Sequence, residues 1–337
     1  MPDDQGQLRR FLFDALPVRG AIVRLQAPWQ EILRRRSSNN RTGAYPAPVA
    51  ELLGQMTAAA ALMQSSIRFE GALVLQIYGD GPVKLAVAEA QADLSLRATA
   101  TVVGEVAPGA GLSQLVNLTN QGRCAITLDP KERRPGQQPY QGVVPLFGDQ
   151  REKIERLEAV LEHYMLQSEQ LDTKLVLAAS DQVAAGLLIQ RLPVTGGGNL
   201  AGAACSVENE DEIGRNEDFN RIAILAASLE REELLGLDVD AILHRLFWNE
   251  KLLSLGAAGD SPGAPPTPRF ACTCSRERVR AMIQHLGAQE AEEIIAERGD
   301  IEVGCEFCGQ QYRFDPIDAA QIFAGERDQP PGPSMVQ

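Results

Sequence analysis

The chain is poor in the residues that most chemistry uses. Its three histidines, His163, His244 and His285, are far apart in sequence. His163 and His244 fall beside apolar positions of expected helices, where a surface or packing role is the ordinary one. There is no G-x-S-x-G nucleophile elbow. The glycine run Gly196–Gly198 lacks the trailing Lys-Ser/Thr of a phosphate loop, and Gly79-Asp80-Gly81-Pro82 matches no nucleotide motif, so no ATP site is expected. Basic charge is in deficit. Lys and Arg number 32 against 45 Asp and Glu, and the resulting net charge of −13 argues against non-specific nucleic-acid binding, which needs a basic footprint. Long apolar runs are missing too. "MTAAAALM" and "IAILAASL" are far too short to span a bilayer. The opening "MPDDQGQLRRFLFDALPVRG" begins with acids and has no apolar h-region, so no signal peptide is expected and the compartment is read as cytoplasmic.

Cysteine is scarce but concentrated. Of six, four lie between Cys272 and Cys308 as two tight pairs, C-x-C and C-x-x-C, with thirty residues between the pairs. In a cytosol that keeps thiols reduced, such pairs read as metal ligands or redox groups rather than structural disulfides. Four thiolates at this spacing form a tetrahedral zinc pattern, and all-cysteine sites are closed structural sites. The plainest reading is a structural zinc held by Cys272, Cys274, Cys305 and Cys308. A thioredoxin-type pair at Cys305 and Cys308 is the alternative, but that motif belongs between a strand and a helix, and here it interrupts a strand-like run. Cys124 lies in an apolar strand pattern and reads as a small buried hydrophobe. Cys205 has no assigned role. Arg276, Arg278 and Arg280 either offset the charge of a zinc–thiolate group or form a solvated helix face, and the second reading is favoured. Trp29 and Trp248 read as packing residues.

The pattern predicts an α+β protein. Residues 1–193 form a mixed core domain. Strands are expected at Val18–Leu25, on both sides of Gly79-Asp80-Gly81-Pro82, and at "LSLRATATVV", "CAITLDP", "YQGVVPLF", "KLVLAAS" and "AAGLLIQRLPV". Helices are expected at Ala47–Ile67 and over "DQREKIERLEAVLEHYMLQSE", where Ile154, Leu157, Leu161 and Met165 share a face. Residues 194–267 form an acidic, Gly-rich break, a helical linker ("FNRIAILAASLEREELLG", "DVDAILHRLFWNE") and a Pro/Gly segment. Nine acids face three arginines between Glu208 and Glu233, so this helical segment is expected to dock only weakly. Residues 268–325 form a small zinc module. In it Ser275 caps a helix carrying Val279, Met282 and Leu286, a second helix and a hairpin follow, and Asp315-Pro316 opens a last helix. Residues 326–337 are expected to be disordered.

The chain also resembles a family. "VRGAIVRL", "YPAPVAELLG", "LQIYGDGPVKLAVAEA", "LRATA", "YQGVVPL", "YMLQSEQLDT", "ILHRLF", "FACTCSRERV" and "IEVGCEFCGQQYRFD" are similar, in the same order over roughly residues 10–323, to the heat shock protein 33 family of redox-regulated chaperones. It departs from that pattern in the expansion near residues 195–218 and in the Pro-rich linker and tail. The resemblance implies a non-enzymatic, ATP-independent holdase with one Zn2+ per chain in the reduced, inactive form. It further implies that oxidants form Cys272–Cys274 and Cys305–Cys308 disulfides and expel the zinc. The linker then unfolds, and the chain dimerises and binds unfolding client proteins. A structural-zinc docking or nucleic-acid-binding protein without redox switching is the competing reading.

Elementary energetics is compatible with such a switch. A module of some fifty residues has a core worth only ~3–5 kcal/mol. A structural zinc contributes on the order of 10–16 kcal/mol. Disulfides inside each pair would close loops far shorter than the ~15 residues that give about 3 kcal/mol, so they would not replace the long-range staple.

Overall fold

The computed structural model describes residues 6–39, 42–132, 138–192, 216–255 and 266–324. The Gly196–Gly198 run, Cys205, the acids Glu208 to Glu212, most of the Pro/Gly segment and the tail after residue 324 lie outside the described residues. The chain divides into two compact units, residues 1–271 and 272–337.

The first unit contains, in order, β1 (Gln7–Phe13), β2 (Val18–Leu25), α1 (Ala27–Ser37), α2 (Ala47–Ser66), β3 (Gly71–Tyr78), β4 (Val83–Gln91) and β5 (Ser95–Val102). Next come α3 (Leu112–Val116), β6 (Arg123–Pro130), β7 (Tyr140–Pro145), α4 (Leu157–Glu169), β8 (Thr173–Ala179) and β9 (Ala184–Arg191). The helices α5 (Glu217–Ala227), α6 (Arg231–Gly236) and α7 (Val239–Phe247) and the short strands β10 (Leu252–Ser254) and β11 (Arg269–Phe270) complete it. One sheet runs β10-β1-β2-β9-β8 and the other β11-β5-β4-β3-β6-β7. Pairing is antiparallel throughout both sheets except where β11 joins β5. The hairpin-rich order therefore gives the α+β fold it predicts.

Helix α2 explains how two sheets share one core. "LLGQMTAAAALM" is apolar or small all round, which suits a helix buried on every side. It packs against strands of both sheets. Gly54 permits the closest approach, because a Cβ there would stand 2.5 Å from the Ala179 methyl. Trp29 is fully buried beside it and donates through Nε1 to the Ser180 carbonyl at 2.7 Å, as its packing role requires.

Strand β9 is buried at every position. Alternation sends Ala184 and Leu188 into the core around α2, and Ala185, Leu187 and Ile189 into a second core on the opposite face. A sheet this apolar on both faces needs two covers. Helices α5–α7 supply the second. Phe219, Ile222, Ala226, Leu229, Leu234, Val239, Ile242, Leu246 and Phe247 bury themselves there against Phe11, Phe13, Val18 and Ile22. Polar tethers reinforce the cover. Arg24 donates to the Leu237 carbonyl at 2.8 Å, Arg231 pairs with Glu51 at 3.1 Å, Lys251 pairs with Asp14 at 2.8 Å, and Arg9 pairs with Asp240.

The structure corrects the sequence reading at several points. Helix α4 begins at Leu157, not at residue 149. Ile154 lies upstream, where its N–H donates to the Leu146 carbonyl and a turn links Gly148 to Glu152. The pattern read as one helix over residues 219–236 is two. Glu230 restarts it as the N-cap of α6, its N–H bonded to the Glu233 carboxylate. Trp248 is not a packing residue; it follows α7 and is 74% exposed.

The second unit is small. Helices α8 (Arg276–Leu286) and α9 (Ala288–Arg298), the hairpin β12 (Ile301–Gly304)–β13 (Gln311–Phe314) and helix α10 (Pro316–Ala324) surround Ile283, Ala291, Ile301, Phe314, Ala319, Ile322 and Phe323. Ser275 caps α8 by accepting from the Arg278 N–H at 3.2 Å. Asp315 caps α10 by accepting from the Asp318 N–H at 2.7 Å. The apolar face of α8 is shifted from the expected one. It runs through Val279 and Ile283, while Met282 and Leu286 are half-exposed. Arg276 and Arg280 fix that orientation by reaching Asp318 and the Gln321 carbonyl of α10.

Candidate metal centre

Two chain features deliver the four thiols. Cys272 and Cys274 lie on a non-helical stretch that ends at the Ser275 cap. Cys305 and Cys308 lie on the turn between β12 and β13. That turn closes through Cys305 N–H to the Gln310 carbonyl at 2.9 Å and Gly309 N–H to the Cys305 carbonyl at 2.8 Å. Gly309 has φ +73°, a left-handed conformation that glycine adopts without strain. Because an antiparallel hairpin flanks the second pair, the thioredoxin-type reading is not supported.

All four Sγ atoms lie within 4.8 Å of one another. Cys272 and Cys305 are 3.6 Å apart, and Cys274 and Cys308 are 3.3 Å apart. A tetrahedral ion with bonds of ~2.3 Å to sulfur sets its ligands about 3.8 Å apart, so the cluster has the size and donor set of a metal–thiolate site. All four cysteines are free thiols; Cys308 is buried and the other three are intermediate. Both of these contacts run across the two pairs, so the cluster ties the two ends of the unit together.

The electrostatics show thiols sharing protons. The hydrogen bond from Cys305, reinforced by the Cys274 backbone N–H, brings the Cys272 thiol down to about 4. Cys305 is raised, first by that shared bond and then by burial, and the N–H groups of Cys308 and Phe307 oppose the rise. Burial pushes Cys308 up to about 11 against the N–H of Gln310. A cation with four thiolate ligands replaces these shared protons.

Sequence reasoning missed one member of the site. The Tyr312 hydroxyl on β13 donates to Cys274 Sγ at 3.2 Å. Its position belongs to the hairpin the sequence predicts, but only the folding of that hairpin against the first pair brings the two together. The arginines beside the first pair serve structure. Arg276 lies over the Phe314 ring and donates to the Arg313 carbonyl, Arg278 donates to Thr273 Oγ1, and Arg280 reaches Gln321.

The other sequence candidates stay separate. Cys124 is fully buried in β6, and burial pushes its thiol up to about 12, so it is unreactive at neutral pH. His285 donates through Nδ1 to the Ala281 carbonyl at 2.6 Å within α8. His163 and His244 join no cluster. Among the described residues the four cysteines are the one group of three or more His, Cys, Asp or Glu whose ligand atoms converge. Among the same residues no helix is long and apolar enough to cross a membrane.

Comparison with known proteins identifies this architecture. A family model described as Hsp33 protein matches residues 6–315. The chain belongs to the Hsp33 family. The 33 kDa chaperonin of Chromobacterium violaceum is 42% identical over 317 residues, covering 94% of this chain and 93% of that protein. The 33 kDa chaperonin of Neisseria meningitidis serogroup A is 38% identical over 319 residues, covering 93% and 90%. In structure, the chain is similar to the 33 kDa chaperonin (HSP33 homologue) of Thermotoga maritima. The TM-score is 0.70 at 19% identity, over 96% of this chain and 99% of that one, a likeness of fold. The Hsp33 family is one of chaperones, not enzymes, and the four-cysteine cluster fits its redox-regulated type.

Proposed function

We propose that the chain is a redox-switched, ATP-independent holdase of the cytoplasm, with Cys272, Cys274, Cys305 and Cys308 holding one Zn2+ while reduced. The convergence of four free thiols on one small unit within a chaperone family carries this reading. The second unit buries few apolar side chains. Such a core gives ~3–5 kcal/mol, against on the order of 10–16 kcal/mol from a structural zinc. The unit should therefore lose its fold when its thiolates are no longer available.

Oxidation makes them unavailable. In each pair, two thiols and one hydrogen peroxide give one disulfide and two waters. We assign the bonds to Cys272–Cys274 and Cys305–Cys308. Bonds of this kind close very short loops and leave the two ends of the unit untied. Bonds across the pairs would keep them stapled.

Residues 194–267 are proposed as the responsive linker. Their α5–α7 helices cover one face of the five-stranded sheet. Once the unit that follows them unfolds, detachment of these helices would bare the apolar face of Phe11, Phe13, Val18 and Ile22. A mobile, acidic, partly apolar chain beside that face can hold unfolding clients and stay soluble. We propose residues 1–193 as the client-binding and dimerisation domain and a homodimer as the oxidised state.

Zinc content and chaperone activity measured on one preparation, before and after peroxide, test the reading. A docking protein with an inert structural zinc would retain its metal and show no gain of activity.

A further inference from the structure

The Tyr312 hydroxyl is a side-chain donor aimed at a sulfur of the thiol cluster, 3.2 Å from Cys274 Sγ. Backbone N–H groups also reach the cluster, from Cys274 to Cys272, from Phe307 and Cys308 to Cys305, and from Gln310 to Cys308. Backbone donors come with the turn. A side-chain hydroxyl does not, and its geometry has to be built. Here β13 builds it: Tyr312 stands opposite Val303 of β12 and packs on the core of the small unit, which fixes the ring and points the hydroxyl at the first pair.

We propose that Tyr312 is a positioning residue that slows the reaction of Cys274 with electrophiles. This rests on the metal–thiolate reading above. A thiolate attacks with a sulfur lone pair. The Tyr312 O–H draws on that electron density, and this lowers the nucleophilicity of the sulfur. The same donor orients Cys274 toward the shared centre, as partners outside the ligand set do in metal sites. The hydroxyl thereby guards one sulfur of the first pair.

The test is site-resolved alkylation of the reduced, zinc-loaded full chain by iodoacetamide. In this reaction a sulfur–carbon bond forms, the carbon–iodine bond breaks and iodide leaves. Peptide mass spectrometry reads each cysteine separately. Tyr312→Phe keeps the ring and removes the donor. It should raise the Cys274 rate about tenfold to 150-fold, the worth of one hydrogen bond to a charged acceptor, with less than about a twofold change at Cys272, Cys305 and Cys308. Val303→Ala, the cross-strand neighbour, loosens packing but keeps the hydroxyl; it should raise all four rates together or none. An unchanged Cys274 rate in Tyr312→Phe, or an equal rise at all four sulfurs, overturns the proposal. Zinc is counted on the same samples. A reduced parent chain without metal contradicts the metal reading itself, whereas zinc-loaded proteins with the wrong labelling pattern contradict only the role of Tyr312.

Discussion

Replacing Phe247 by alanine should loosen the helical cover of the five-stranded sheet and leave the thiol cluster intact. Phe247 closes α7 and is 2% exposed. Its ring meets Phe13 edge-on, with centroids 5.0 Å apart and planes at 88°, and lies 6.2 Å from Phe11. Truncating a buried phenylalanine costs ~3–5 kcal/mol, in transfer free energy and in the cavity left behind. If the helices open as a local unit, that cost favours opening by about 10^2- to 10^4-fold. Amide hydrogen exchange is the assay. Protection over Glu217–Phe247 should fall by about 100-fold or more, while β3, β4 and β6, in the other sheet, keep theirs. Zinc content should be unchanged. If detachment of these helices is what exposes the client surface, the reduced, zinc-loaded variant should also suppress client aggregation without oxidant. Unchanged protection would show that the cover is not separately stable. Lost protection without any gain of activity would place the client surface elsewhere.

Cys272→Ser combined with Cys305→Ser removes one ligand from each pair, so zinc measured by metal analysis should fall from one per chain to near zero, and the isotope exchange of α8–α10 should become fast. Peroxide under mildly unfolding conditions should yield Cys272–Cys274 and Cys305–Cys308 peptides, and dominant peptides joining the two pairs would defeat the release mechanism. Asp240 is held below its ordinary value near 3.8, chiefly by its hydrogen bond from Arg9. A depressed carboxyl contributes stability above its ordinary value and loses it as pH falls through the depressed one. The thermal midpoint should therefore fall below about pH 4, and Asp240→Asn should flatten part of that fall.

How far the sequence alone could be read depended on the range of the interaction. The apolar run of β9 and the alanine-rich α2 are marked by their composition, and the hairpin at Gly79-Asp80-Gly81-Pro82 carries its own turn residues. The Ser275 and Asp315 caps act within three residues. These were legible. Short strands such as β10 and β11 were not, because they exist only through partners far along the chain, Phe11–Phe13 and Ser95–Leu96. The face of α8 was misjudged for the same reason, since Arg276 and Arg280 turn it toward α10. Among site residues, the four thiols announced themselves by spacing. Tyr312 did not, because its partner is 38 positions away and the contact depends on the fold of both pairs.

The central claim is that metal and activity exchange places when the thiols are oxidised. One measurement tests it directly: light scattering from a heat-aggregating client, with zinc release followed by a chelating dye in the same peroxide titration. The reduced, zinc-loaded chain should leave aggregation unchecked, and suppression should rise in proportion to zinc released, then reverse when reductant and zinc are restored. Suppression that is already full in the reduced zinc form, or absent after all zinc has gone, would contradict the account.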